Sequence, residues 1–241
     1  NFLDSLKKSF ENYEIIFVSS VWENQETINE FQQKYKIKFI NQIKEKNWQK
    51  EIDKIKFVTG DENLSFKIEN VYHMWDSIIQ NILFLEEIKK KNNIDFDYVC
   101  RFRTDITTLK NIKNLRNDLE RLKNGEILFS SNRHFRGITD LFFIANFQTF
   151  IRMKNFLNYL EKFNNEGRVF NPEYIFYSFV SENNFRIKIA YKLDIALIRI
   201  EEAKPTKKVF VPFNDKLNMK LAKRKIKIIK FLNKLSYIWN K

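Results

Sequence analysis

Residues 96–105 read Phe96-Asp97-Tyr98-Val99-Cys100-Arg101-Phe102-Arg103-Thr104-Asp105, an apolar run that stops at two arginines and one carboxylate. The β-rich interior predicts a buried strand. A strand ending in Arg-x-Arg-Thr-Asp carries cations and an acid to the carboxyl edge of a sheet, where open α/β folds bind ligands. Side chains alternate along a strand, so Arg101 and Arg103 share one face, and the guanidinium fork suits bidentate phosphate binding. Asp105 is placed to hold Mg²⁺ or Mn²⁺ beside a diphosphate, because these hard ions take oxygen ligands and keep several waters. The same residues also admit structural readings: salt bridges for the arginines and a turn cap for Asp105.

Working outward, residues 1–12 space apolar and charged positions as a helix does, and Tyr13 to Ser20 reads as a short buried strand. Residues 25–35 are again helical, and Ile37 to Ile43 offers a strand. Val71, Trp75, Ile78, Ile79, Ile82, Leu85 and Ile88 keep a 3.6-residue period, and Lys89 to Lys91 place cations at that helix's carboxyl end. Glu126 to Ser130 and Asp140 to Ala145 are buried-strand candidates on either side of the basic loop Asn132-Arg133-His134-Phe135-Arg136-Gly137. Residues 147–163 read as helix, Pro172 opens another at a position proline favours, and Leu193 to Ile200 closes the series as a strand. Strands alternating with helices predict an α/β layered fold, a single domain with a central, mostly parallel sheet flanked by helices. The domain spans residues 1–205, and residues 206–241 form a separate basic helix. The chain starts at Asn1 directly in a helical pattern, from which we expect a first strand upstream.

Scarcity excludes more chemistry than abundance suggests. The four glycines, Gly60, Gly125, Gly137 and Gly167, are too dispersed to build a P-loop or a dinucleotide-binding turn. Cys100 is the sole cysteine, which removes disulfide frameworks and Cys-rich zinc sites, and its place inside an apolar run makes it a buried structural thiol. No apolar run reaches the roughly 20 residues that span a bilayer. Of the net charge of +13, nine Lys/Arg and no acid fall in residues 216–241, leaving +4 for the rest.

Two further acids sit where a cleft could use them. Asp140 opens its strand directly after the basic loop, as a base or a ligand, and Glu173 lies in the first turn after Pro172, where the helix dipole also favours it as a cap. His134 is the only histidine near these groups, with a solvated loop residue as its plain reading. His73 lies inside the long helix and is read as structural.

Asn70-Val71-Tyr72-His73-Met74-Trp75-Asp76-Ser77-Ile78, then Asp97 to Asp105, then Thr139-Asp140-Leu141-Phe142-Phe143-Ile144 with Met153, then Pro172-Glu173-Tyr174-Ile175, follow one another in an order and spacing that resemble bacterial surface-polysaccharide glycosyltransferases of the GT-A type. The resemblance covers about residues 13–200. It implies transfer of a sugar from a nucleotide donor, a uridine diphosphate sugar, to a hydroxyl of a capsule or lipopolysaccharide glycan, free or lipid-linked. It further implies that Arg101, Arg103, Asp105, Tyr72 and His134 bind the nucleotide sugar, that Asp105 holds Mg²⁺ or Mn²⁺, and that Asp140, with Glu173 second, is the catalytic carboxylate. The family's paired metal-binding acids are reduced here to Asp105, with Arg103 in place of the first, so the arginines take part of the leaving-group charge.

In the tail, Lys216, Lys220, Lys223, Lys227, Lys230, Lys234 and Lys241 form one stripe, and Leu221, Ile228, Leu232, Leu235 and Trp239 form another. A basic amphipathic helix ending in Trp is the pattern of a helix lying in an anionic membrane interface, at about 1 kcal/mol per basic residue near the surface. Packing of the apolar stripe on the domain is the plainer reading. Together these features predict a cytoplasmic enzyme held peripherally at the inner face of the plasma membrane. A non-enzymatic nucleic-acid binder would interleave exposed aromatics with its cations, whereas most of the 25 phenylalanines stand in apolar runs, so no nucleic acid is expected as partner. A phosphotransferase on the same glycan pathway would use much the same arginines and carboxylate.

Overall fold

A computed structural model describes residues 6–8, 10–22, 28–29, 32–33, 37–55, 68–103, 106–108, 115–131, 137–190, 193–197, 224 and 227–228. The described elements in chain order are β1 (Val18–Trp22), β2 (Phe39–Ile43), α1 (Gln49–Ile52), α2 (Ile68–Asn92), β3 (Tyr98–Phe102), β4 (Ile106–Thr108), α3 (Leu115–Glu120), β5 (Glu126–Phe129), β6 (Phe142–Asn146), α4 (Phe147–Ile151), a 3₁₀ turn (Arg152–Asn155), α5 (Phe156–Asn165), α6 (Pro172–Glu182), β7 (Arg186–Ile189) and β8 (Ile195–Leu197).

The fold is mixed α/β, a small sheet of mostly parallel strands flanked by helices. The sheet has the order β3-β6-β5-β7. Three of its strands point the same way, while β6 is reversed between β3 and β5, so only the β5–β7 pairing is itself parallel. That reversal refines the expectation of a mostly parallel sheet. The connection from β5 to β6, residues 130–141, is short for a helical crossover, and a short return between neighbouring strands makes an antiparallel pair. β1 pairs in parallel with β2, and β4 in antiparallel with β8, as two smaller sheets.

β5 and β6 are buried on both faces and divide the core in two. On one side Ile127, Phe129, Phe143 and Ala145 meet α2, α5 and α6. On the other Leu128, Phe142 and Ile144 meet Leu6 and Phe10 near the amino terminus and Leu115 and Leu119 of α3. The α2 stripe read from sequence is buried throughout, and Trp75 is its centre: its ring lies 3.6 Å from Phe156 and packs edge-on to Phe176. Phe176 in turn touches Phe129 and Phe143, which ties three helices to the sheet. Emptying such a site by Trp75→Ala removes about 3–5 kcal/mol.

Local chemistry fixes the ends of the elements. Asn93, in the left-handed conformation at φ 51°, ends α2, a role asparagine fills because it tolerates that geometry. The side chains of Asn146 and Asn171 cap α4 and α6 by accepting from the backbone N–H groups of Thr149 and Tyr174. Arg168 fastens α5 to α6, donating to Tyr159, Glu182, Tyr174 and Ser178 with its guanidinium over the Phe163 ring.

Several expectations shift. The strand predicted at Tyr13 to Ser20 begins later, at Val18, because Tyr13 and Ile15 pack sideways onto the second core. The helix predicted over 147–163 is broken by the 3₁₀ turn at Arg152–Asn155. Of the last strand expected over Leu193 to Ile200, Ile195–Leu197 is strand and Leu193 and Asp194 precede it, while residues 198–200 lie outside the described residues. β4 and β7 were not anticipated. Of the basic tail, Arg224, Lys227 and Ile228 are described, and all three are helical and exposed. The remainder of the two stripes lies outside the described residues.

Candidate functional site

The β3–β6 ladder builds the site. Phe102 stands opposite Phe142, and the Arg103 N–H donates to the Leu141 carbonyl at 3.1 Å, so pairing continues one step beyond the strand. This register draws Asp140 alongside the end of β3. Arg101 and Arg103 share the face of β3 that carries Val99, which packs against the α2–α5–α6 core. The Arg101 Nη1 donates a short hydrogen bond to the Asp140 main-chain oxygen and lies 3.7 Å from Asp140 Oδ2. Both side chains are largely enclosed, at 14% and 16% exposure. Asp140 Oδ2 is buried and accepts no hydrogen bond among the described residues. Buried polar atoms are paired in the great majority of cases, so an unsatisfied carboxylate oxygen calls for an explanation, of which a catalytic role is one.

The loop before Asp140 is pressed onto the amino end of α6. Ile138 N–H donates to the Glu173 carbonyl at 3.1 Å. A Cβ at Gly137 would meet that same oxygen at 1.9 Å, so only glycine fits. Thr139 Oγ1 accepts from the Leu141 N–H and sets the turn into β6. The Arg101–Asp140 pair thus stands near the carboxyl end of β3, with the Arg103 backbone paired to Leu141 and the Glu173 backbone at the amino end of α6 pressed against residues 137 and 138.

Tyr72 is placed differently. It is 2% exposed, stacked on Trp48 and Phe170, and its hydroxyl accepts from Asn164 Nδ2 at 2.7 Å. Burial pushes that hydroxyl up to about 12, with the Asn164 hydrogen bond acting in the opposite sense. It stacks on Phe170, just before α6, from inside the core. Cys100 packs against the second core on the opposite face of β3, and burial pushes its thiol up to about 12 against the lowering effect of Arg101. A thiol so raised stays protonated at neutral pH and is a poor nucleophile. His73 lies 3.5 Å from Glu45 and 3.6 Å from Glu69. Asp105 and His134 lie outside the described residues.

A second buried acid escaped the sequence reading. Asp76 is 1% exposed, and its Oδ1 accepts from Lys46 Nζ at 2.6 Å and from Gln80 at 3.4 Å. Its Oδ2 is buried with no hydrogen bond among the described residues. Lys46 follows the carboxyl end of β2 and also lies over the Trp48 ring. The available signal was a charge on the apolar face of α2, next to Trp75. At the end of β5, Ser131 makes a short hydrogen bond to Asp194, for which no sequence pattern gave warning.

No group of three His, Cys, Asp or Glu among the described residues could hold a metal ion. Also among the described residues, no helix is long and apolar enough to cross a membrane. Compared with protein-family models, curated proteins and solved structures, the chain matches none.

Proposed function

We propose that the chain is a nucleotide-sugar-dependent glycosyltransferase of the GT-A type that moves a sugar from a uridine diphosphate donor to a hydroxyl of a capsule or lipopolysaccharide glycan. The observation that carries the reading is the Arg101–Asp140 pair at the end of β3, with a half-satisfied carboxylate, beside which the backbones of Arg103 and Glu173 are held. Such an edge offers the two things the reaction needs: cations for the diphosphate and an acceptor for a proton. The sequence resemblance supplies the family and substrate class.

In this reading the Asp140 carboxylate takes the proton from the acceptor hydroxyl as its oxygen bonds the anomeric carbon. The bond from that carbon to the diphosphate oxygen breaks, and its electron pair leaves with the diphosphate. Fixed positive charge facing that developing anion lowers the barrier by several kcal/mol. Glu173 is the second candidate for the proton. Asp105 would hold Mg²⁺ or Mn²⁺ together with diphosphate oxygens and water, and the ion would supply further charge neutralisation.

Membrane attachment through residues 216–241 completes the proposal, together with a cytoplasmic, peripheral location. Ile228, a member of the apolar stripe, is 57% exposed, as a residue meant for an interface would be. Deleting residues 216–241 is expected to lower cosedimentation with anionic vesicles while sparing nucleotide binding. Unchanged vesicle binding refutes the attachment.

The decisive test is a thermal-shift and calorimetric screen of nucleoside diphosphates with and without Mn²⁺. A ligand at about 100 times its Kd stabilises the fold by about 2.7 kcal/mol. Uridine diphosphate is expected to raise Tm, and silence toward every nucleotide rejects the transferase.

A further inference from the structure

We propose that Asn124 is a site of slow spontaneous deamidation, and that the buried Thr149 sets its rate by holding both reacting groups. The inference is independent of the transferase reading and concerns the other edge of the sheet, where β5 begins.

Asn124-Gly125 is the single place in the chain where an asparagine precedes a glycine. Glycine carries no side chain to crowd its own nitrogen, so the Gly125 nitrogen can attack the Asn124 side-chain carbon Cγ. The N–Cγ bond forms as Cγ–Nδ2 breaks, and Nδ2 leaves as ammonia with the proton that the Gly125 nitrogen gives up. Water then opens the cyclic imide at either carbonyl, to aspartate or to isoaspartate, with nothing oxidised or reduced. Asn124 is exposed, so water reaches it.

Thr149, on α4, is fully buried, and its hydroxyl meets both partners of that reaction. Its Oγ1 accepts from the Gly125 N–H at 2.8 Å and donates to Asn124 Oδ1 at 3.0 Å. A hydroxyl has one proton to donate. Here it points at Oδ1, so lone pairs face the Gly125 nitrogen. A hydrogen bond that needs the Gly125 proton disfavours the deprotonated, attacking form of that nitrogen. Thr149 is itself placed by its N–H, which donates to the Asn146 cap.

The turn is held from both ends as well. The Glu126 N–H donates to the Lys123 carbonyl at 3.1 Å, and the Gly125 carbonyl accepts from the Arg186 N–H, where β7 begins, at 2.8 Å. Positive φ at Gly125, 78°, and not at Asn124 makes this a type II turn. Closing the imide ring requires rotation about the Asn124 Cα–C bond, away from the turn these bonds maintain. The fold therefore keeps nucleophile and electrophile out of attack geometry. Isoaspartate, once formed, adds a carbon to the main chain ahead of β5 and shifts the Gly125 carbonyl away from Arg186.

Peptide mass spectrometry reads the reaction at Asn124 as the mass gained when an amide becomes an acid, in the whole chain at mildly alkaline pH, folded or unfolded in guanidinium. Folded wild type is expected to react about tenfold or more slowly than the unfolded chain. Thr149→Val keeps the shape without the hydroxyl and should raise the folded rate about fivefold or more, whereas Thr149→Ser, which keeps the hydroxyl, should stay within about twofold of wild type. Val71→Ala, about five turns along α2 from the Lys89 that lies over Phe147, controls for lost stability and should leave the rate low. Equal rates in folded and unfolded wild type overturn the proposal, as does an unfolded chain that does not react at Asn124. A folded Thr149→Val that reacts no faster than wild type or Val71→Ala overturns it too. Should Thr149→Val fail to fold, the Gly125 N–H of wild type is expected to exchange with solvent deuterium far more slowly than in the unfolded chain, and equal exchange overturns the role of Thr149.

Discussion

Two carboxylates at the starts of neighbouring strands of the sheet are treated in opposite ways. Glu126 begins β5 and is 3% exposed; its Oε2 accepts from the Lys123 N–H at 3.0 Å, and its Oε1 lies 3.7 Å from both Arg186 and Lys188 of β7. Asp140 precedes β6 and is partly enclosed, at 16% exposure, with a buried Oδ2 that has a guanidinium at 3.7 Å and no hydrogen bond among the described residues. An acid that serves only the fold is satisfied by the fold. One that keeps bonding capacity in a buried place pays for it in stability, and function is the ordinary reason to retain it.

The contrast breaks most sharply under substitution at its two poles. Asp140→Asn keeps the shape and removes the proton acceptor, so release of uridine diphosphate from a UDP-sugar should fall by about 100-fold or more. Its Tm should stay within about 2 °C of wild type. Glu126→Ala should do the reverse. It strips the Lys123 N–H and two cations of their partner, which costs about 1–3 kcal/mol, and turnover should hold. Full turnover in Asp140→Asn, or lost turnover at an unchanged Tm in Glu126→Ala, would remove the distinction between the two ends of the sheet.

A smaller effect tests whether the site end depends on its packing. Gly137→Ala drives a Cβ into the Glu173 carbonyl, 1.9 Å away, and overpacking of this kind costs about 1–3 kcal/mol. The displaced backbone carries both Asp140 and the amino end of α6. Turnover should therefore drop by about tenfold, since small misplacements near reacting groups are expensive. The Glu126 end should register the change only through Tm. Wild-type turnover in a folded Gly137→Ala protein would show that the loop and helix are not jointly required.

How much of this was legible depended on the range of the interaction. α2 was readable because its stripe is local: Trp75, Ile78, Ile79 and Ile82 repeat at 3.6 residues and are all buried. The strand at 98–102 and the proline-opened helix were readable for the same reason. β7 was missed because Arg186 and Lys188 alternate with Ile187 and Ile189, and the cations masked a period of two. The structure turns the isoleucines into the core and the cations toward Glu126. The reversal of β6 is a tertiary fact, visible beforehand only in the shortness of the connection over residues 130–141. For the site, sequence alone placed Arg101, Arg103, Asp140 and Glu173 as candidates. It could not give the Arg101–Asp140 pairing, which joins residues 39 apart, or the Lys46–Asp76 pair, 30 apart. Such contacts follow from strand register and helix packing, which no local pattern encodes.

The smallest expected effect concerns Tyr72, which the family resemblance assigns to the nucleotide sugar and the packing assigns to the core. Its hydroxyl accepts from Asn164 and is raised from an ordinary value of 10.0 to about 12, chiefly by burial. The folded state thus prefers the protonated hydroxyl more strongly than the unfolded chain does. That contribution is complete below pH 10 and is lost as the pH climbs through about 12. Tyr72→Phe removes the titrating group and leaves Asn164 Nδ2 without this partner, a change of about 1 kcal/mol. The variant should be slightly less stable at neutral pH and lose less stability than wild type between neutral pH and the alkaline limit, with the affinity for uridine diphosphate unchanged. That outcome would group Tyr72 with Glu126, as a polar residue the fold needs for itself. A several-fold loss of nucleotide affinity would instead move it to the side of Asp140, and would mean that the α2 core face and the sheet edge act on one ligand.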